Sequence, residues 1–509
     1  MPFFNLKVIV MKKNIEMQPN PLVQYLNKPT SEFTKADLIK YIEDNDIEMI
    51  NFRYVAEDGR LKCLNFVINS KEHLDSILST GERVDGSSLF SHIQAGQSDL
   101  YVVPRYRTAF LNPFSEIPTV DILCSFFDAS GKPYEGAPEY VLQKAHNVLK
   151  KETGYYFEVM GELEYYVISD EEALFEASDQ RNYHEAEPFA KWGGFRREAM
   201  LAIAQCGGNI KYGHSEVGNF TQSGKVYEQN EIEFQPTLLE DAADQIVVAK
   251  WVLRELAYQY GVTITFAPKV TVGKAGSGLH IHTRLMKDGK NAMIKNGELT
   301  EAAQKAISGF LYLAPSLTAF GNTNPTSYLR LVPNQEAPTT ICWGDRNRSV
   351  LVRVPLGWRE SINMSAIANP LEKDEPVDFS EKQTVEFRCP DGSADIYLLL
   401  SGLTVAARYG LQMENGLEFA KKTYVDVDIF EKEHKSKHDE LDHLPTSCVE
   451  SAQNLDEQKD IYRQYDVFPE DLVISEINKL RSYDDQNIRK EIEEDPDQIM
   501  DLVNEFFHV

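Results

Sequence analysis

Two glutamates stand two residues apart in an otherwise apolar segment of the chain. In MGELEYYVIS (160–169), Glu162 and Glu164 fall between Met160 and Tyr166 with the alternation of a β-strand. Side chains two apart on a strand point to the same face. Burying a carboxylate is costly unless it is paired or coordinated. The pair therefore indicates either an edge that faces water or a site that binds cations.

The same spacing recurs in three later segments. The pairs are Glu231 and Glu233 in QNEIEF, His280 and His282 in GLHIHTRL, and Glu386 and Arg388 in TVEFRCP. A further acid, Glu216, lies in GHSEVGN, where the flanking glycines predict a loop or a strand end. An edge facing water explains any single pair most simply. Four strands with this pattern favour faces that converge on one pocket.

Convergence of five carboxylates requires positive charge. Two carboxylates about 4 Å apart repel by roughly 4 kcal/mol at an effective dielectric near 20. Oxygen ligands with one imidazole suit Mg²⁺ or Mn²⁺ and not a metal that prefers thiolate. Five acids favour two ions over one. The pattern therefore predicts a site for two divalent cations.

Arginines follow these acids in two segments. Arg330 lies in SYLRLVPNQEAP, and Arg348 and Arg353 lie in NRSVLVRVP. Guanidinium groups beside a metal pocket would hold carboxylate or phosphate through forked hydrogen bonds. Metal ions with several arginines suggest phosphoryl transfer, in which catalysis is mostly charge stabilisation and positioning. For each arginine alone, a surface ion pair remains an open alternative. For the glycine-rich segment KAGSG (274–278), a simple turn remains an open alternative.

Composition excludes several classes of protein. Of 509 residues, 42% are hydrophobic and 26% charged, and the net charge is −27, so phosphate backbones would be repelled and nucleic acid is not an expected partner. No run of about 18 apolar residues predicts a membrane span. The six cysteines are scattered and form no CxxC pair, which argues against a disulfide framework. We expect a reduced, cytoplasmic protein.

The segments that must position these residues predict an α+β fold. Two strand-like runs flank Asp58-Gly59, a hairpin signal, and a short helix begins at Thr34. Helices are predicted at 139–151, 237–260, 300–313 and 395–413, and strands at 229–234, 262–271, 278–285, 349–354 and 384–388. The expected divisions are an N-terminal arm (1–30), a small mixed domain (31–125) and a catalytic domain (126–509) with an acidic helical region from about 449.

Seven motifs of the chain together resemble those of a known protein family. They are GELEYY, HSEVGN, QNEIEF, FAPKVTVGKAGSGLHIH, NTNPTSYLRLVPNQEAP, DRNRSVLVRVP and VEFRCPDGSADIYL. In order and spacing, the chain from about 45 to 410 resembles bacterial type I glutamine synthetases. VDGSS (84–88) resembles that family's N-terminal loop. The resemblance implies a β-grasp domain at 31–125, a catalytic domain with a curved antiparallel sheet and flanking helices, and two stacked hexamers with active sites between subunits. It also implies ATP-dependent ligation of ammonia to L-glutamate through a γ-glutamyl phosphate.

The resemblance implies roles for individual residues. Two Mg²⁺ or Mn²⁺ ions would bind, one near glutamate at Glu164, Glu216 and Glu231, the other near ATP at Glu162, His280 and Glu386. Glutamate would contact Glu164, Gly276, Arg330, Arg353 and Arg388, and the nucleotide would contact His282, Arg348 and Arg353. Asp85, from the neighbouring subunit, would help deprotonate ammonium, Glu336 would cover the site and accept the last proton, and Arg348 would stabilise the transferred phosphoryl group.

Departures from the family and rival functions complete the expectations. Ala275 replaces an Asn that usually contacts glutamate, Thr384 replaces a nucleotide-contacting Arg, and the sequence around Tyr424 does not match the adenylylated site of enteric enzymes. One rival is a γ-glutamyl ligase for an amine or polyamine, against which Asp85 and Glu336 favour ammonium. A second rival is a non-catalytic relative, although all six predicted metal ligands are present. A third is a metal hydrolase.

Overall fold

The computed structural model describes residues 15–93, 96, 98–172, 174–176, 178–332, 337–355, 362–427, 440–494 and 498–509. Its fold class is α+β, as predicted. The strands are β1 Met49–Val55, β2 Leu61–Val67, β3 Glu82–Asp85, β4 Asp99–Pro104, β5 Phe110–Leu111, β6 Thr119–Asp128, β7 Tyr156–Asp170, β8 Ile210–Gln222, β9 Lys225–Phe234, β10 Thr237–Leu238, β11 Thr263–Thr265, β12 Leu279–Lys287, β13 Lys290–Asn291, β14 Ile294–Lys295, β15 Glu298–Leu299, β16 Trp343–Asp345, β17 Val352–Val354 and β18 Val385–Phe387.

The helices are α1 Pro21–Leu26, α2 Lys35–Asp44, α3 Lys71–Thr80, α4 Pro138–Thr153, α5 Gly193–Gln205, α6 Leu239–Tyr260, α7 Glu301–Gly321, α8 Ser327–Arg330, α9 Met364–Ala368, α10 Ile396–Gln412, α11 Gly416–Lys422, α12 Cys448–Arg463, α13 Glu470–Arg481, α14 Ile488–Glu494 and α15 Gln498–Glu505. Within the described residues, none of these helices combines the length and the apolar character that crossing a bilayer demands. The chain forms two compact units. The described residues of the first unit lie within 1–141, 164–235 and 243–265, and those of the second within 142–163, 236–242 and 266–509.

A mixed sheet with strand order β2-β1-β6-β4-β3 begins the first unit. The predicted hairpin joins β1 to β2, and Gly59 in its turn has a φ of +69°, a conformation that glycine adopts without steric cost. Strand β1 also pairs in parallel with β6. The predicted helix from Thr34 is α2, and Thr34 and Asp37 form a reciprocal capping box at its start. Alternate strand residues such as Phe52 and Ile122 enter the core.

A buried ion pair anchors this sheet. Asp121 is 0% exposed and accepts hydrogen bonds from Arg53 Nε at 2.7 Å and Asn51 Nδ2 at 2.8 Å. We expect Asp121→Ala to lower the free energy of unfolding of the full chain by about 3–5 kcal/mol, because Arg53 would stay buried without its counter-charge. Denaturant titration measures this value. The exposed pair of Asp58 with Lys62 is the matched control, and equal losses in Asp58→Ala and Asp121→Ala would contradict the argument.

The second unit is built on a sheet of order β16-β17-β18-β12-β7. Its pairings are antiparallel except at the edge, where β16 and β17 are parallel. Helices α7 and α10 pack closely, since a Cβ on Gly309 would lie 1.9 Å from the carbonyl oxygen of Ala406. The C-terminal region carries helices α12 to α15. It packs on α7, where the Ser316 and Tyr462 hydroxyls are 2.7 Å apart.

Strand β7 supplies residues to both units, because the division falls between Leu163 and Glu164. In the first unit, β8 and β9 form an antiparallel pair. Glu216 was expected in a loop or at a strand end, and this expectation is wrong, because it lies inside β8. The pairing register shifts between Ser215 and Asn219, so an irregularity in a long strand takes the place of the loop that the glycines suggested.

Candidate active site

Strand register brings three predicted metal ligands together in the second unit. His280 on β12 lies directly opposite Glu162 on β7, and β18 places Glu386 on the other side of β12. The Nδ1 atom of His280 is 3.1 Å from a Glu162 carboxylate oxygen and 3.6 Å from one of Glu386. One ligand atom from each residue lies within 4.8 Å of the others. We call Glu162, His280 and Glu386 the second-unit cluster.

The donor chemistry of the second-unit cluster fits a divalent cation. Burial alone would raise the pKa of Glu162, but His282 and His280 hold that pKa well below its usual range. Burial opposes ionisation of Glu386 as well, yet His282 and Arg388 keep its pKa lowered. Two ionised carboxylates and one imidazole are the ligand types that Mg²⁺ or Mn²⁺ accepts.

Arginines border this cluster on one side. Arg353 Nη1 lies 2.9 Å from Glu386 Oε2, and Arg388 Nε lies 3.0 Å from Glu386 Oε1. The structure thus brings Arg353 and Arg388 to the predicted site. Arg348 differs, because its side chain is exposed and its backbone carbonyl accepts a hydrogen bond from Arg388. Its expected role at the transferred phosphoryl group stays a prediction.

The glycine-rich segment 274–278 runs past Arg330. This arginine is 3% exposed, and its Nη1 donates to the carbonyls of Cys389 at 2.8 Å and Pro390 at 3.2 Å. A Cβ on Gly278 would lie 2.5 Å from Arg330 Nη2 and 3.0 Å from His280 Nε2. A Cβ on Gly276 would lie 3.0 Å from Arg330 Cγ. The same Cβ would lie only 2.6 Å from the Pro268 carbonyl oxygen, so Gly278 is required by its close approach to Arg330, and Gly276 by its approach to Pro268 and Arg330.

We expect Gly278→Ala to lower catalytic efficiency about tenfold or more, because overpacking costs about 1–3 kcal/mol and would displace Arg330 or His280. Steady-state kinetics with glutamate as the varied substrate checks this. Gly194→Ala in α5 is the control, because nothing lies within 4 Å of its Cβ position and alanine favours helix. Full activity in both variants would show that the approach to Arg330 does not matter.

His282 also belongs to this region. Its Nε2 is 2.7 Å from a Glu162 oxygen, and its Nδ1 is 2.9 Å from the hydroxyl oxygen of Thr384. Thr384 occupies the position where an arginine was expected from the family pattern. In this chain the threonine fixes the orientation of His282 instead.

The first unit holds the other predicted ligands. His214 Nδ1 is 4.0 Å from Glu216 Oε1, and His214 Nε2 is 3.8 Å from Glu231 Oε2. Glu164 accepts a hydrogen bond of 3.1 Å from Gln229, which is two residues from Glu231 on β9. We call Glu216, Glu231 and His214 the first-unit cluster.

Sequence reasoning missed His214. Ligand atoms of His214, Glu231 and Glu233 lie within 4.8 Å of one another, so the imidazole stands among the acids. The signal that could have found it is the spacing already used for the other pairs, because His214 and Glu216 are two residues apart. Glu233 also has a lysine partner, since Lys211 Nζ is 2.6 Å from its carboxylate.

Asp85 and Glu336 are the other expected catalytic residues. Asp85 is exposed and accepts hydrogen bonds from the hydroxyls of Ser87 at 2.7 Å and Ser88 at 2.8 Å. Those bonds lower the pKa of Asp85, so it is ionised at neutral pH. Its expected place in a neighbouring subunit's site stays a prediction. Glu336 lies outside the described residues.

Comparison with known proteins agrees with this geometry. The family model described as "Glutamine synthetase, catalytic domain" matches residues 135–496, and the "Glutamine synthetase, beta-Grasp domain" model matches 46–129. The glutamine synthetase of Clostridium saccharobutylicum is 30% identical over 84% of this chain and 90% of its own length. That of Frankia alni is 29% identical over 87% and 94%. A solved Plasmodium falciparum glutamine synthetase shares the fold, with a TM-score of 0.74 at 20% identity, covering 90% of this chain and 97% of its own.

A β-grasp domain joined to a catalytic domain, with arginines bordering a carboxylate and imidazole cluster, defines an ATP-dependent ligase. The chain belongs to the glutamine synthetase family. Members of this family depend on ATP and a divalent metal. The predicted fold, with its N-terminal β-grasp domain, is confirmed.

Proposed function

We propose that this chain is a bacterial type I glutamine synthetase. It catalyses the ATP-dependent ligation of ammonia to L-glutamate, through γ-glutamyl phosphate, to give L-glutamine. One observation carries the proposal: Glu386 belongs to a ligand set with Glu162 and His280 and is also the counter-charge of Arg353 and Arg388. This arrangement joins a cation site to phosphate-binding guanidinium groups, as phosphoryl transfer requires.

Each cluster fits one divalent cation, Mg²⁺ or Mn²⁺. Glu162, His280 and Glu386 would hold one, and Glu164, Glu216 and Glu231 the other. When bound, the two ions would supply charge neutralisation for the ATP phosphates and the substrate carboxylate.

The side chains of this chain then have distinct tasks. Arg330 binds the substrate carboxylate; the carbonyls of Cys389 and Pro390 hold its Nη1, and the Gly276 backbone lies beside it. Arg353 and Arg388 contact the transferred phosphoryl group and the γ-carboxylate, where fixed positive charge stabilises the transition state. Two further roles complete the assignment: His282 orients the nucleotide, and Arg348 joins Arg353 at the phosphoryl group.

Ammonium must bind and then lose a proton before it can attack. We assign its deprotonation to Asp85 of a neighbouring subunit and the closure of the site, with acceptance of the last proton, to Glu336. This assignment requires an oligomer, which we propose is a dodecamer of two stacked hexamers. Images of negatively stained particles test it, and a monomer in active preparations would contradict it. Six free cysteines support a cytoplasmic location.

The test of function is coupled ADP release with amide detection by mass spectrometry. Glutamate and ATP are supplied with ammonium, ethylamine or putrescine in parallel. We expect L-glutamine to form with ammonium and ADP release to stop when glutamate is omitted. Turnover with an amine but not with ammonium would assign the chain to the γ-glutamyl amide ligases. ATP-independent product release would indicate a hydrolase, and no turnover at all a non-catalytic relative.

A further inference from the structure

We propose that Asn322 is a positioning residue for glutamate binding, acting through Arg330. The inference rests on the proposed function, because Arg330 is the glutamate-binding residue only in that assignment. Asn322 follows the last residue of α7 and is 0% exposed. It touches no reacting atom in the proposed mechanism, so its effect on the reaction must pass through the groups that it holds.

One carbonyl oxygen links Asn322 to Arg330. The Nδ2 atom of Asn322 donates to the carbonyl of Cys389 at 2.8 Å. The same oxygen accepts from Arg330 Nη1, also at 2.8 Å. Because the two donors share one acceptor, the position of that carbonyl depends on both. In the native chain, the Cys389 carbonyl is held by Asn322 and therefore restrains Arg330. Without the Asn322 amide, Arg330 would instead become the main restraint on this carbonyl.

Asn322 also fixes the turn that carries this carbonyl. Its Nδ2 donates to the Asp391 carboxylate at 2.7 Å. Asp391 is 0% exposed, and its other oxygen accepts from the backbone nitrogen and hydroxyl of Ser393 at 2.9 Å and 2.6 Å. A buried carboxylate is stable only when donors surround it. Asn322 therefore supplies a donor on which the conformation of residues 389–391 depends.

The turn is tied to the substrate end of the site as well. The backbone nitrogen of Leu279, the first residue of β12, donates to the Pro390 carbonyl at 2.9 Å, and Gly278 pairs with Asp391 in an isolated bridge. Residues 389–391 thus lie between the end of α7 and the start of the strand that carries His280. The Arg330 guanidinium is held at Nη1 by two carbonyls of this turn and at Nη2 by the Arg388 carbonyl at 3.5 Å, and Nη2 lies on the side of Gly278. Asn322 sets that orientation without contacting substrate.

The proposal predicts a change in glutamate binding that is separate from any loss of stability. In the full chain, we expect Asn322→Ala to raise the KM for glutamate about tenfold, equivalent to about 1.4 kcal/mol, and to leave the KM for ATP within about twofold. Ser316→Ala is the matched control. Ser316 is a fully buried polar residue of α7, the helix that Asn322 follows. Its hydroxyl contacts the Tyr462 hydroxyl and not residues 389–391.

The outcomes separate the alternatives. An unchanged KM for glutamate in Asn322→Ala, or parallel rises in both KM values that Ser316→Ala reproduces at the same melting temperature, would overturn the proposal. If Asn322→Ala does not fold, Ser393→Ala decides, because it removes one donor from the other oxygen of Asp391, and it should raise the KM for glutamate alone. A wild-type chain without glutamate-dependent turnover refutes the proposed function itself, and the inference with it.

Discussion

Replacing Glu386 with glutamine is expected to lower glutamine formation by about 10³-fold, the size of the roughly 3–5 kcal/mol cost of breaking a buried charge pair. Glutamine keeps the shape of the side chain, so the sheet is preserved. The charge, however, serves Arg353 at 2.9 Å and Arg388 at 3.0 Å as well as the ligand set with His280. Its loss leaves two guanidinium groups unbalanced at the place where a cation must bind.

Calorimetric titration with Mn²⁺ measures the second expected consequence, the loss of one of the two bound ions in Glu386→Gln. Glu158→Gln is the matched control, because Glu158 lies on β7 near Glu162 but pairs with Arg284 at 2.8 Å. We expect the control to bind manganese as the wild type does. Retention of both ions at wild-type affinity in Glu386→Gln would remove Glu386 from the ligand assignment.

Local periodicity was enough to find the members of the second-unit cluster. The spacing of two residues identified Glu162 and the histidines of β12 because a strand places such residues on one face whatever its partners are. Sequence does not contain the register, which sets His280 opposite Glu162 across 118 residues of chain. Only the resemblance to a known family distributed the acids between two ions.

Features that depend on tertiary packing could not be predicted from the residue pattern of the sequence. The helix predicted at 300–313 continues to Gly321 although it contains Pro315, because tertiary contacts outweigh the cost of proline. The strand predicted at 262–271 is reduced to Thr263–Thr265. The proposed role of Asn322 rests on the shared Cys389 carbonyl, and the spacing of residues in the sequence does not reveal such a contact. Gly276 and Gly278 were compatible with an ordinary turn, and only the folded structure shows the neighbours that exclude a side chain, Pro268 and Arg330.

The first-unit cluster raises a choice that the sequence leaves open. Glu231 and Glu233 share one face of β9, and both lie near His214. The family resemblance assigns Glu231 to the ion with Glu164 and Glu216. The geometry groups Glu231 with Glu233 instead, so either acid could complete the ligand set.

The charge environment distinguishes the two acids. We expect Glu231→Gln to reduce glutamine formation by about 10²-fold or more and to weaken manganese binding. Glu233→Gln should retain both glutamine formation and manganese binding. Lys211 already neutralises Glu233 at 2.6 Å, while Glu231 lies 3.8 Å from the imidazole of His214. A carboxylate with its own ammonium partner gains less from a cation than one beside an imidazole, and removing a buried charge from a ligand set costs several kcal/mol. Manganese titration of the two variants at equal melting temperature measures the difference. If Glu233→Gln lost the ion and Glu231→Gln kept it, the ligand set would be His214 and Glu233, and the assignment drawn from the family would be wrong for this chain.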